Sequence, residues 1–177
     1  MVGVGTVKAD DPQLTTRLET GRGSDPQRII LDTHLSMPET ARMLQQVSAA
    51  ETWVVCGPDA ADGNKKRLAD QGALVLEADL ENGRINLKAL MALLSARGIT
   101  SLLIEGGARV AASALKSGIV DKALFFYAPK ILGGDDGIPM CSGPGPEKMK
   151  ESLALHRMEV CRVGDDVLIS GYLHDSV

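Results

Sequence analysis

One stretch constrains the fold more than any other. Residues 101–104 form a short, almost wholly apolar run that stops at Glu105, and Gly106 and Gly107 follow. Beyond them an Ala-rich run places Val110, Ala114 and Leu115 at helical spacing and closes at Gly118. This pattern predicts a buried strand, a tight glycine turn and a helix. Glycine permits positive φ in the turn and leaves no side chain between the backbone and a ligand. The first N–H groups of the helix then face outward, with the positive end of the helix dipole behind them. That arrangement suits an anion, phosphate above all. Glu105 at the strand tip points to a polar ligand held from two sides. An ordinary βα turn has the same signature, because Gly-Gly alone falls far short of a full dinucleotide fingerprint.

The remainder of the chain repeats the strand–helix pattern. Residues 2–4 look like the end of a buried strand running into a glycine turn at Gly3 and Gly5. Residues 6–11 fit one helical turn stopped before Pro12, 13–17 a polar extended segment and 21–26 a surface loop. Further strands are expected at 28–32, 52–56 and 73–76. Residues 38–47 are helix-compatible, with Met43, Leu44 and Val47 as an apolar stripe, and 62–72 give a short helix. Asn86 is a natural N-cap for a helix over 87–97 that buries Leu87, Leu90, Met91 and Leu94 and stops at Gly98. Alternation of this kind predicts a mostly parallel sheet covered by helices, joined by right-handed crossovers. Ligands of such sheets sit outside the carboxyl ends of the strands, where Asp32, Thr33 and Glu105 fall. Past Gly118 the pattern changes. A strand over 122–128 contains Phe125, Phe126 and Tyr127, residues 129–135 and 141–146 read as loops, and two extended runs around Gly164-Asp165-Asp166 read as an antiparallel hairpin.

Composition excludes several classes. A chain of 177 residues fits one domain with a proper core. Aromatic residues are only 3%, so aliphatic side chains must fill that core. A net charge of −4 argues against nucleic acid as a general partner. The three cysteines, Cys56, Cys141 and Cys161, match neither a disulfide framework nor a zinc pattern, which fits a reducing, cytoplasmic setting. His34, His156 and His174 are scattered, so no metal site is expected. No apolar run is long enough to span a membrane, and no secretory pattern appears.

Several segments together resemble one family. Gly3-Val4-Gly5-Thr6-Val7-Lys8-Ala9-Asp10-Asp11-Pro12-Gln13-Leu14-Thr15-Thr16-Arg17 resembles a signature of the reductase domain of bacterial riboflavin biosynthesis. Arg28-Ile29-Ile30-Leu31-Asp32-Thr33 is similar to its next strand, and Glu105-Gly106-Gly107-Ala108-Arg109 to its glycine turn. Ala128-Pro129-Lys130-Ile131-Leu132-Gly133-Gly134 is similar to its later loop, and Val120-Asp121 before the aromatic strand also fits. The matches keep family order from residue 2 to about 134, and the terminal hairpin agrees.

The resemblance implies an α/β, dihydrofolate-reductase-like fold, with a mostly parallel central sheet flanked by helices and a C-terminal antiparallel hairpin. It implies NADPH-dependent reduction of 5-amino-6-(5-phosphoribosylamino)uracil to the ribitylamino compound. By position, Thr6, Asp10 and Thr33 would lie against NADPH, with Gly107, Ala108, Arg109, Val110, Ala111, Ala112 and Ser113 holding its phosphates. Leu14, Arg17 and Glu105 would contact the substrate, with Arg17 on its phosphate and Glu105 as the catalytic residue. The family's domain commonly follows a zinc-dependent deaminase, whose His/Cys cluster has no counterpart here. The deaminase would therefore reside on a preceding part or on another chain. The family's domain also begins upstream of this chain's first residue, so a single reductase domain shortened at its N-terminus is expected. Unpaired strand edges in such a domain favour a homodimer. Two other readings share these features: a catalytically impaired nucleotide-binding fragment, and a related reductase of the same fold with another small substrate.

Overall fold

The computed structural model describes residues 1–18, 20 and 23–175. The first layer is a four-stranded parallel sheet in the order β1-β2-β3-β4. Its strands are β1 (Val2–Gly3), β2 (Arg28–Leu31), β3 (Thr52–Cys56) and β4 (Leu74–Glu77). Register is fixed by pairs such as Val2↔Ile30, Ile30↔Val54 and Val54↔Val75. β2 and β3 are buried along nearly their whole length, as expected for a parallel sheet covered on both faces.

Because side chains alternate across a strand, the sheet builds two cores. Ile30, Val54 and Cys56 pack with Val2, Val7, Leu35, Met37, Met43 and Leu68 on one face. Ile29, Trp53 and Val55 pack with Leu76, Leu87, Leu90, Leu94 and Ala114 on the other. Each fully buried side chain of this size contributes about 1.5–3 kcal/mol. The helices are α1 (Val4–Asp10), α2 (Asp62–Asp70), α3 (Leu87–Ser95) and α4 (Ala108–Ser117). α3 begins where Asn86 accepts a hydrogen bond from Ala89 N at 3.1 Å, and its face of Leu87, Leu90 and Leu94 is buried. α4 ends at Gly118, whose φ of 69° supplies the left-handed cap.

A separate three-stranded antiparallel sheet follows, in the order β7-β9-β8. It comprises β7 (Lys122–Tyr127), β8 (His156–Val163) and β9 (Asp166–Tyr172). The expected terminal hairpin is therefore present, and the aromatic strand pairs with it rather than with the parallel sheet.

Two local expectations are corrected, and one element is new. Residues 38–47 hold only a 3-10 turn at Arg42–Leu44. Within this segment Ala41 and Met43 are buried on either side of the exposed Arg42, a two-residue spacing that a helix face does not give. Residues 101–104 form no regular strand beside the two-residue β1. The contact there is Met1 N donating to Leu103 O at 2.6 Å and Glu105 N donating to Met1 O at 3.0 Å. A small hairpin of β5 (Leu80–Glu81) and β6 (Arg84–Ile85) was not anticipated; its Asn82-Gly83 turn has φ of 52° and 72° at the two central residues. The 21–26 loop lies partly outside the described residues.

Candidate functional site

The glycine turn sits where the sequence places it, at the N-terminus of α4. Gly106 and Gly107 have φ of 84° and 88°, a region costly for other residues. A Cβ on Gly107 would stand 3.2 Å from Thr6 Oγ1, and one on Gly3 would stand 2.8 Å from Val110 Cγ2. Both glycines thus let α1, β1 and α4 close on one another. No side chain caps α4, and its first turn carries no acidic residue. The N–H groups of Ala108, Arg109 and Val110 are left without intrahelical partners, as at any helix start. This cradle fits the pyrophosphate of a dinucleotide on geometry and charge. Among the residues expected there, Thr6 stands beside the turn, where a Cβ on Gly106 would meet its Cγ2 at 3.6 Å. Thr33 lies beyond the carboxyl end of β2, where its carbonyl accepts from Gly57 N at 3.0 Å.

Beside the turn is an open cavity of about 710 Å³. It is lined by residues 10–15 with Arg17, by 26–29, by Arg42, and by 98–103 with Met1 and Glu105. Leu14, Arg17 and Glu105, the three residues expected at a substrate, all line it, together with Asp10. Glu105 is exposed and tethered by its backbone to Met1. Burial pushes the Met1 amine below its usual value, partly offset by the Glu105 carboxylate nearby.

The cavity holds residues that sequence reasoning missed. Arg28 is 3% exposed. Its Nε donates to Thr52 Oγ1 at 2.9 Å and its Nη2 to Ala50 O, while Nη1 is buried with no hydrogen-bond partner. Gln27 Nε2 is in the same condition. Two buried orphan donors on a cavity wall call for an acceptor. Nothing in the order Gln27-Arg28 signals this, since a cation at a strand start ordinarily points to solvent.

The segment carrying Arg17 is held by Asp25. Its Oδ1 accepts from Thr16 N at 2.9 Å and its Oδ2 from Ser48 Oγ at 2.7 Å. Those two bonds, the Ser48 hydroxyl first, hold the Asp25 carboxyl below its ordinary value, with Arg28 adding to the shift. Asp32 plays a similar part at the other end of β2. It is 2% exposed and accepts from Met37 N at 2.7 Å and Ser36 Oγ at 3.1 Å, so it shapes the 33–37 turn. Cys56 is buried and its thiol is pushed up by desolvation, whereas Cys141 and Cys161 are exposed. Among the described residues no group of three His, Cys, Asp or Glu side chains is placed to hold a metal ion.

Comparison with known proteins decides the family. The model of the RibD C-terminal domain matches residues 1–169. The chain belongs to the RibD C-terminal domain family. It is 37% identical over 175 residues to the riboflavin biosynthesis protein RibD of Bacillus amyloliquefaciens, covering 99% of this chain and 46% of that protein. It is 30% identical to the 2,5-diamino-6-ribosylamino-4(3H)-pyrimidinone 5′-phosphate reductase of Methanothermobacter thermautotrophicus, covering 96% of this chain and 76% of that one. Among solved structures, Acinetobacter baumannii RibD superposes with a TM-score of 0.77 at 28% identity, over 97% of this chain and 45% of that chain. The chain thus spans about half the length of the RibD proteins it matches. The α/β, dihydrofolate-reductase-like fold of the RibD reductase domains is shared by this chain, and no helix of the described residues is long and apolar enough to cross a membrane.

Proposed function

We propose that this chain is an NADPH-dependent reductase of riboflavin biosynthesis. It would convert 5-amino-6-(5-phosphoribosylamino)uracil to 5-amino-6-(5-phosphoribitylamino)uracil. One observation carries the reading: an uncapped helix start behind Gly106-Gly107 adjoins a cavity lined by Arg17, Arg28, Arg42 and Glu105. The first feature suits a cofactor pyrophosphate, and the second a phosphorylated substrate with polar groups to orient. The names of the relatives point the same way.

The cofactor, when bound, supplies a hydride to the C=N carbon of the ring-opened ribosylamine. The chain's own residues do the positioning. Gly107 through Ser113 hold the phosphates, with Thr6, Asp10 and Thr33 along the cofactor. Arg17 pairs with the ribose phosphate, Leu14 packs against the substrate, and Glu105 accepts hydrogen bonds from its ribose or pyrimidine. Orientation of two ligands in a site that excludes water accounts for the main part of catalysis of this kind. The site acts in the cytoplasm, in a homodimer, with the deaminase that supplies its substrate on another part of a longer protein or on a separate chain.

The test follows NADPH absorbance with the phosphoribosylamino uracil as substrate. Glu105→Gln is expected to lower kcat by about tenfold or more while changing NADPH affinity by less than about twofold. Unchanged turnover with weakened NADPH binding would overturn the role given to Glu105. The same assay with 2,5-diamino-6-ribosylamino-4(3H)-pyrimidinone 5′-phosphate separates this substrate from the one named in the archaeal relative. Binding of NADPH with no turnover on either substrate would instead mark a nucleotide-binding fragment.

A further inference from the structure

The connection between β7 and β8, residues 128–155, carries no regular structure except a 3-10 turn at Met149–Glu151. Connections longer than about 12–15 residues without structure of their own are uncommon in compact domains and are usually functional or disordered. This one is apolar where a solvent loop would be polar. Ile131 is 100% exposed, and Leu132, Ile138 and Met140 are exposed with it. Every residue from 128 to 154 is exposed except Ser142. Among the described residues, Ser142 is also where a backbone hydrogen bond ties the connection to the rest of the molecule. Its N–H donates to Ala108 O at 3.1 Å. Ala108 is the first residue of α4, directly after Gly107.

The place of that tie selects what the apolar segment covers. The glycine turn is open, with Gly106 and Arg109 exposed. A hydride-transfer site works best when closed to water, and a moving loop is a common means of closure. Ser142 pins one end of the segment beside the turn. Gly133 and Gly134, with φ of 67° and 81°, form a hinge at the other end, because glycine changes backbone region at little cost. A swing about these two ends brings Ile138 and Met140 over the turn. Closure is coupled to a ligand by desolvation. Apolar side chains laid over the unpaired N–H groups of an empty helix start would strip them of water with no partner in exchange. Once an anion pairs those groups the penalty is gone, and burial of Ile138 and Met140 favours the closed state.

We propose that residues 133–142 are a lid that closes Ile138 and Met140 over the Gly106-Gly107 turn when a dinucleotide fills it. The proposal rests on the dinucleotide reading of that turn.

The chain carries its own reporter. Cys141, beside Ser142, is exposed, as is Cys161 on β8, while Cys56 is buried. An aromatic disulfide reagent should label Cys141 and Cys161 rapidly in the free chain, with Cys141→Ser showing which rate belongs to which thiol. Saturating NADPH, checked by calorimetry, should slow Cys141 by about tenfold or more and leave Cys161 within about twofold. Amide hydrogen exchange should slow across 133–142 under the same conditions. Ile138→Ser combined with Met140→Ser, both at exposed positions outside the buried cores, should abolish the protection, weaken NADPH binding severalfold and leave Tm unchanged. Protection of Cys141 alone, with exchange across 133–140 unmoved, would mean that the ligand merely shields the thiol, and overturns the lid. NADPH binding with no protection of Cys141 overturns the lid and leaves the dinucleotide reading intact. Protection already present without NADPH and rising with protein concentration assigns the segment to a contact between copies, which also overturns the lid. Failure of the chain to bind NADPH overturns both readings.

Discussion

Asp25 braces the segment that carries Arg17, the residue proposed to pair with the substrate phosphate. It ties Thr16, the neighbour of Arg17, to Ser48 on a loop remote in sequence. Asp25→Ala should therefore raise the KM for substrate more than it changes NADPH affinity, and should lower Tm by a few degrees. Steady-state kinetics and thermal melting measure the two effects. The pH dependence has a definite sign. The folded-state pKa of Asp25 lies below the ordinary 3.8, so the carboxylate anchor is complete above that value and is lost as pH falls through the depressed one. Acid unfolding of the wild-type chain should show this decline, and the Ala variant should lack its share of it. Residues of this kind set the limit of what the sequence reveals. That Arg17, Leu14 and Glu105 line one cavity was legible because they sit in motifs. Asp25, Asp32 and Arg28 were not legible, because their roles depend on partners brought together only by the folded chain.

The glycine-turn element is the proposed anion site, and its two ends can be separated experimentally. Gly107→Ala forces a side chain to φ 88°, at about 1–2 kcal/mol, and sets a Cβ 3.2 Å from Thr6 Oγ1. It should lower stability and also weaken NADPH binding severalfold. Gly118→Ala meets the same left-handed penalty at φ 69° with open space around it, at about 1 kcal/mol. It should lower Tm and leave NADPH affinity unchanged, as chemical denaturation and titration would show. This helix and α3 were legible because their caps are local: Asn86, Gly107 and Gly118 each act within one turn of their own helix. The segment 38–47 was not, because its buried Ala41 and Met43 answer to a core assembled from distant elements, including Val54 and Cys56 of β3 and Leu68 of α2. The β5–β6 hairpin did have a signal in Asn82-Gly83, but two-residue strands give too little alternation to support it.

At the scale of the whole molecule, the two sheets are not joined by any strand pairing among the described residues. β7 is an edge strand, and in the irregular segment 101–104 beside Met1 Leu103 is 62% exposed. Register places Leu124, Phe126, Leu168 and Cys161 on one face of the antiparallel sheet, and Phe125, Tyr127, Ile169 and Val160 on the other. Both faces expose large apolar side chains, Phe126 at 57% on the first and Val160 at 66% on the second. A three-stranded sheet with apolar groups on both faces is a poor end state in water, and the free edges add unpaired backbone groups. A second copy of the chain offers matching apolar faces and edges, which supports the homodimer in the proposed function. Phe126→Glu and Val160→Glu test the two faces independently, because neither side chain belongs to the buried cores. Sedimentation should show a dimer for the wild-type chain and a monomer for the variant whose charge falls on the covered face. The other variant should remain dimeric, and a dimer unmoved by either charge would place the contact away from both faces of this sheet. A monomeric wild-type chain at tens of micromolar would overturn the assembly and leave the reductase site to be judged on one copy alone.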